Sequence, residues 1–354
     1  MPSRSRAPWR RHRVRTLLVL VVLFAWGAAQ AEAVPEAVPD PPRGDLRLVV
    51  FGDFNGPYGS LAYPSAVARV VAAVADVWRP DLVLLPGDLV AGQDRSLPIE
   101  RFAAMWAAFD LAVAAPWRAA GIPYAAAMGN HDASNLRNPD GGFAFARERD
   151  AAVAYWADPE HWTGFELVDA PAPPLRYALR LGPLFLAVID ASGPVVDDLQ
   201  RAWLADALAS SAAREADARL VMGHLPLVGI ALGRDRQGEV VWEAASLRAM
   251  LLAGAVDLYV SGHQAAYYPG RWDGLELLFS GGIGGRALRA WPAPPRSAVT
   301  LVDVWLDPLV MCYTTFDPNG FQPLAATALP TRIDGYGGVV ERSGRDGSCP
   351  AAGH

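Results

Sequence analysis

Several short β-branched and aromatic runs in this chain end on a glycine that is followed at once by a carboxylate, an amide or an imidazole. Residues 46–51 lead into Gly52-Asp53, 81–86 into Gly87-Asp88, 124–128 into Gly129-Asn130-His131-Asp132, 220–222 into Gly223-His224 and 258–260 towards Gly262-His263, while 184–189 ends in Asp190. Stretches with helical periodicity separate them: 66–78, with Val67, Val70, Val71, Val74 and Val77 on one face, then 100–115, 199–210 and 244–253. Strand and helix in alternation predict a parallel sheet, and 275–279 and 299–305 predict antiparallel additions to it. In an open α/β sheet, ligands sit beyond the carboxyl ends of the strands. Asp53, Asp88, Asn130, His131, His224 and His263 all fall at such ends.

Two carboxylates, an amide oxygen and two imidazoles make a donor set that a borderline divalent cation such as Zn, Mn or Fe accepts. A glycine ahead of each donor lets the backbone turn sharply and leaves room for an ion. Taken singly, each piece reads as a turn or a packed histidine; the weight lies in their order. Gly-Asp-Phe-Asn (52–55), Gly-Asp-Leu-Val (87–90), Gly-Asn-His-Asp (129–132), Gly-His-Leu-Pro (223–226) and Gly-His-Gln-Ala (262–265) resemble the five signature blocks of the calcineurin-like metallophosphoesterases. That superfamily includes purple acid phosphatases, protein phosphatases and many phosphodiesterases. Gln200-Arg201-Ala202-Trp203-Leu204 resembles a helix often found between the third and fourth blocks.

The resemblance implies an α/β fold, a four-layer α/β/β/α sandwich with cations at the strand ends. It implies Asp88 as a carboxylate shared by two cations, and a second site of Asp88, Asn130, His224 and His263 suited to Mn, Fe or Zn. It also implies His131, oriented by Asp132, as the acid that protonates the leaving oxygen. In such sites cations about 3.5–4 Å apart activate a water for in-line attack on phosphorus.

The first site departs from the family pattern. Asp53 and the shared Asp88 are present, but Asn55 stands where many members have His, Ala91 where purple acid phosphatases have Tyr, and Ala265 where the last block has its second His. Of the other histidines only His161 is spare, and in Asp158-Pro159-Glu160-His161-Trp162 it reads as a surface-loop residue. The donors left, Asp53, Asp88 and Asn55, are oxygens, which suit Mn, Mg or Ca.

Two further segments leave alternatives open. Phe143, Phe145, Tyr155, Trp156, Trp162 and Phe165 form either a wall beside the cations or a satellite hydrophobic cluster. The pairs Gly281-Gly282 and Gly284-Gly285 follow a strand but lack the Lys-Ser/Thr of a phosphate loop, and read as a turn near the site.

Residues 1–31 read as a secretory signal peptide, with six Arg, an apolar run over 17–29 and a small-x-small sequence at Ala29-Gln30-Ala31. The run is short for a bilayer span, and an uncleaved anchor, with membrane attachment, is the alternative. A Pro-rich linker (32–44), a metallophosphoesterase domain (45–307) and a tail (308–354), clipped by a Cys312–Cys349 disulfide, complete the expected layout. Those first 31 residues carry six Arg and no acid, so without them the net charge of −6 becomes −12. A surface of that sign disfavours nucleic acid as a partner. The expected activity is hydrolysis of a small phosphomonoester or phosphodiester outside the cytoplasm. The rival is a one-metal binding or sensory protein, favoured by the loss at Ala265 and opposed by the survival of His131 and Asp132.

Overall fold

The computed structural model describes residues 38–344. The expected signal peptide, residues 32–37 of the linker and Cys349 lie outside the described residues. In chain order the strands are β1 (Leu46–Val50), β2 (Leu82–Leu85), β3 (Tyr124–Ala126), β4 (Glu166–Ala172), β5 (Arg176–Leu181), β6 (Leu184–Val188), β7 (Ala218–Met222), β8 (Leu258–Ser261), β9 (Tyr267–Trp272), β10 (Leu275–Ser280), β11 (Val299–Leu306), β12 (Leu309–Phe316), β13 (Arg332–Gly335) and β14 (Gly338–Arg342).

They form a five-stranded sheet, β12-β11-β1-β2-β3, and a nine-stranded sheet, β13-β14-β9-β10-β8-β7-β6-β5-β4. Each has a parallel run, β1-β2-β3 at one edge of the first sheet and β6-β7-β8-β10 inside the second, completed by antiparallel strands. Three hydrophobic cores make the layers. Leu48, Val50, Leu84, Val188, Leu220 and Val260 fill the space between the sheets. Val49 and Val83 point the other way, onto Val70 and Phe109 of the helices over the first sheet. Phe185 and Val221 do the same against Leu204 and Leu247 over the second. Successive residues of the central strands therefore serve two cores, which is why these runs are apolar throughout. The result is the α/β/β/α sandwich.

Most elements lie where the periodicity places them. The stretch expected as one helix over 100–115 is α-helix Ile99–Phe109, a wider π turn over Asp110–Ala114, and a short helix Ala115–Ala119. Pro116 accounts for the break, since its ring would strike the carbonyl four residues earlier in a regular helix. The aromatic stretch after the third block resolves as packing: Tyr155 stacks on Trp106, and Trp156 lies in the core beside Phe109.

The expected tail needs correction. β12 pairs with β11 along its whole length, and β13 and β14 extend the second sheet beyond β9. The hairpin also forms a bridge with the loop after β7, where Gly229 and Tyr336 exchange backbone hydrogen bonds at 2.9 and 2.8 Å. Residues 309–342 are thus part of the sandwich, recruited because their apolar residues, Met311, Ile333 and Val340 among them, are buried in it.

One polar pair is sealed inside. Arg47 of β1 lies opposite Asp303 of β11 and donates to it at 2.8 Å, both side chains almost fully buried, with Asp40 and the Pro41 carbonyl taking its other N–H groups. Removing one partner strands a buried charge. Asp303→Ala is expected to lower unfolding stability by about 3–5 kcal/mol, measured by denaturant titration; a change below about 1 kcal/mol would fall in the range of an exposed pair and defeat the claim.

Candidate metal centre

At the carboxyl ends of β2, β3, β7 and β8 the chain turns so tightly that side chains would obstruct it. Gly87 has φ +89°, and a Cβ there would lie 2.5 Å from His224 Nδ1. At Gly129 a Cβ would fall on the Asp88 carboxylate. Asp53, Asp88 and His263 themselves hold left-handed backbone angles, φ +49°, +56° and +65°. Such conformations cost of order 1–3 kcal/mol each for residues other than glycine, and they concentrate at functional sites.

These turns bring the expected second-site residues together. Asp88, His224 and His263 offer donor atoms all within 4.8 Å of one another, a group able to hold a metal ion. Asn130 Oδ1 completes it, 3.0 Å from His224 Nε2 and 2.8 Å from His263 Nδ1. Each donor is aimed from behind. His224 Nδ1 donates to the Pro86 carbonyl at 2.7 Å, which turns Nε2 towards Asp88. With Glu239 accepting from His263 Nε2 at 2.8 Å, the Nδ1 lone pair faces Asn130. Asn130 in turn donates its amide to Gln93 at 2.8 Å, so its oxygen points inward. Outer partners of this kind are what orient metal ligands. The donor set and its orientation fit a divalent cation.

The two imidazoles differ: burial opposes the charged form of His224, but Asp88 outweighs it and pushes the ring up to about 9, so a cation binding there would displace its proton. Burial pulls His263 down to about 4, against the Glu239 hydrogen bond, so the imidazole is neutral and its lone pair free. Asp88 is held below the usual carboxylate range: burial would raise it, but His224 and His131 outweigh that. Asp53 is raised, by burial first, with His224 opposing and Asp88 adding to the rise.

The first site is sparser. Asp53 Oδ1 accepts the His263 backbone N–H at 2.8 Å, while Oδ2 is buried with no hydrogen-bond partner. A buried, unpartnered carboxylate oxygen is costly and fits a cation alongside it. Asn55 is half-buried, with its backbone N–H on the Asp88 carbonyl at 3.2 Å. No imidazole stands at Ala265. The glycine turn after β10 packs on Asp53, Ile283 donating to its carbonyl at 3.0 Å. His161 supplies no donor here. It is buried rather than superficial, against Tyr124 at the opposite end of β3, because its Nδ1 meets the Tyr124 hydroxyl at 2.9 Å and its ring packs on Tyr155.

His131 stands beside the cluster, half-buried, with Nε2 4.0 Å from Asp88 Oδ2. Its orientation differs from expectation. Nδ1 lies 3.1 Å from the Gly92 carbonyl, and Tyr58, 61% exposed, stacks on the ring at 5.1 Å. Asp132 does not touch the ring. Its carboxylate accepts the backbone N–H groups of Leu89 and Val90 at 2.8 and 2.9 Å and of Gly129 at 2.7 Å. A short helix begins at Asn130, so Asp132 faces the loops after β2 and β3 and ties them together. Asp190 is likewise set apart, paired with Arg149 at 2.7 Å.

Gln93, Glu239 and Gln264 escape sequence reasoning. Gln264 is fully buried, and its Oε1 accepts the N–H groups of Ile230 and Ala231 at 3.0 and 2.9 Å, pinning the loop that carries Arg234 and Glu239. The one available signal was its place inside the last block.

A family model described as calcineurin-like phosphoesterase matches residues 46–267. A purple acid phosphatase from yellow lupin (Lupinus luteus) seeds superposes with a TM-score of 0.55 at 15% identity, covering 82% of this chain and 54% of that one. This chain thus spans about half the length of the lupin protein. A dimetal phosphatase from Danio rerio gives a TM-score of 0.48 at 14% identity, covering 77% of this chain and 96% of that one. No curated protein sequence matches. The likeness to the lupin structure bears on the fold alone. The family match, together with a fold and a cluster of metal donors that agree with it, establishes that this chain belongs to the calcineurin-like phosphoesterases.

Proposed function

We propose that the chain hydrolyses a small phosphomonoester or phosphodiester outside the cytoplasm, using one strongly held divalent cation at Asp88, Asn130, His224 and His263 and His131 as the acid. The observation that carries this is the inward convergence of those four donors with His131 alongside. A cation bound there supplies Lewis-acid polarisation of the phosphoryl group and activation of water.

The protein's own parts are positioned for the rest. The Gly92 carbonyl holds His131 Nδ1–H, so Nε2 is the atom that presents a proton to the leaving oxygen as its bond to phosphorus breaks. Tyr58 limits the ring's rotation. Mixed nitrogen and oxygen donors favour Mn, Fe or Zn at this site, whereas Asp53, Asn55 and Asp88 would take Mn, Mg or Ca weakly. Export is supported by the Arg-rich start and short apolar run of residues 1–31.

The test is metal stoichiometry and turnover of p-nitrophenyl phosphate and bis-p-nitrophenyl phosphate against Mn concentration, for the natural chain and for Ala265→His. We expect one tight cation, a second filling only at high Mn, and a gain of about tenfold in affinity at that weaker site in the variant, equivalent to roughly 1.4 kcal/mol. Two tight cations in the natural chain would mean that the first site has another ligand. Absence of turnover in metal-replete protein would favour a binding role.

A further inference from the structure

The cleft over Asn130 and His263 has a volume of about 460 Å³, and its lining includes three arginines, Arg234, Arg236 and Arg286, against a single acid, Glu239. This is a local reversal of sign in a chain of net charge −6. Glu239 is already engaged: it accepts from His263 at 2.8 Å, from Arg234 at 2.7 Å and from Arg236 at 3.2 Å. It offsets one positive charge of three. Arg236 keeps 72% of its side chain exposed. Arg286 is exposed and makes no side-chain hydrogen bond or ion pair among the described residues.

The arginines sit on loops that are fastened to each other. Ala231 bridges Leu288, Leu232 donates to the Ala287 carbonyl at 2.9 Å, and Arg289 donates to that of Ile230 at 2.7 Å. Arg286 itself is anchored through its backbone N–H on the Ala265 carbonyl at 2.5 Å. The wall is therefore built before any ligand arrives. A scissile phosphoryl group at the cleft floor needs only the cation and the groups around it. Two surplus guanidinium charges on a fixed wall match a further dianion, since guanidinium forks bind phosphate-like groups in pairs of hydrogen bonds.

We propose that the cleft selects phosphate esters that carry a second phosphate-like dianion, held by Arg236 and Arg286 while the scissile group lies at the floor. This rests on the phosphoesterase reading of the site. Non-hydrolysable probes separate the two. Calorimetry on the Mn-loaded protein should find 1,4-phenylenebisphosphonate bound about 30-fold more tightly than phenylphosphonate, the order expected of a few charge-assisted hydrogen bonds. In the double variant Arg236→Gln, Arg286→Gln the ratio should fall to about threefold or less, whereas Arg332→Gln, an exposed arginine of β13, should keep it. Equal binding of both probes by the natural chain, a preference that survives the double variant, or an equal loss in Arg332→Gln would each overturn the proposal. Turnover of the corresponding esters is scored separately: its absence beside an intact binding preference would count against hydrolysis and leave the subsite standing.

Discussion

His131→Gln is expected to lower turnover by about 10²–10⁴, the usual worth of a positioned acid, while the cation stays in place. The separation of the two effects comes from geometry. The imidazole is not one of the inward-facing donors, and the contact that His131 makes with Asp88 Oδ1, at 3.0 Å, comes from its backbone N–H, which the variant retains. What is lost is the proton on Nε2. The deficit should be larger for an alkyl phosphate, whose leaving oxygen needs protonation, than for p-nitrophenyl phosphate, whose leaving group does not. Equal turnover in variant and natural protein, with metal content unchanged in both, would remove His131 from the mechanism.

The second large effect is on metal retention. His224→Ala should reduce bound cation from about one per chain to a small fraction, with affinity falling by more than the 10–100-fold typical of losing an outer partner. His224 is fully buried, with Nε2 3.3 Å from Asp88 Oδ1 and Nδ1 held by the Pro86 carbonyl, so its loss removes a donor that is already oriented. Glu239→Gln, which alters only the group behind His263, supplies the graded comparison and should lose about 10–100-fold. Mass spectrometric metal analysis after dialysis, with circular dichroism to confirm folding, checks both. Full metal content in a folded His224→Ala protein would refute the ligand assignment.

Much of this was legible in the residues. Apolar runs buried on both faces mark central strands, and a donor placed right after such a run has only one edge of the sheet to occupy, so the placement of Asp53, Asp88, Asn130, His224 and His263 at one edge could be read from the residues. Residues that act from loops did not. Glu239 reaches His263 across 24 positions, and Gln93 meets Asn130 across 37, by paths no periodicity encodes. Asp132 sat in the right block, but its task depends on the direction of a four-residue helix. His161 was misjudged because a short polar-looking segment gives no local sign of the aromatic surface that will cover it, and residues 309–342 because their partner strands, β11 and β9, are set by tertiary pairing rather than by local pattern.

The hairpin of β13 and β14 is the last part of the sandwich to leave the ribosome, yet through Tyr336 it grips Gly229, at the root of the loop bearing Arg234 and Glu239. An emerging chain thus possesses Asp88, Asn130, Glu239 and His263 before it possesses the hairpin that fastens the Glu239 loop. Chains fold progressively as they are made. The loop that carries the partner of His263 is therefore fastened at its root only once residues 332–342 have been made.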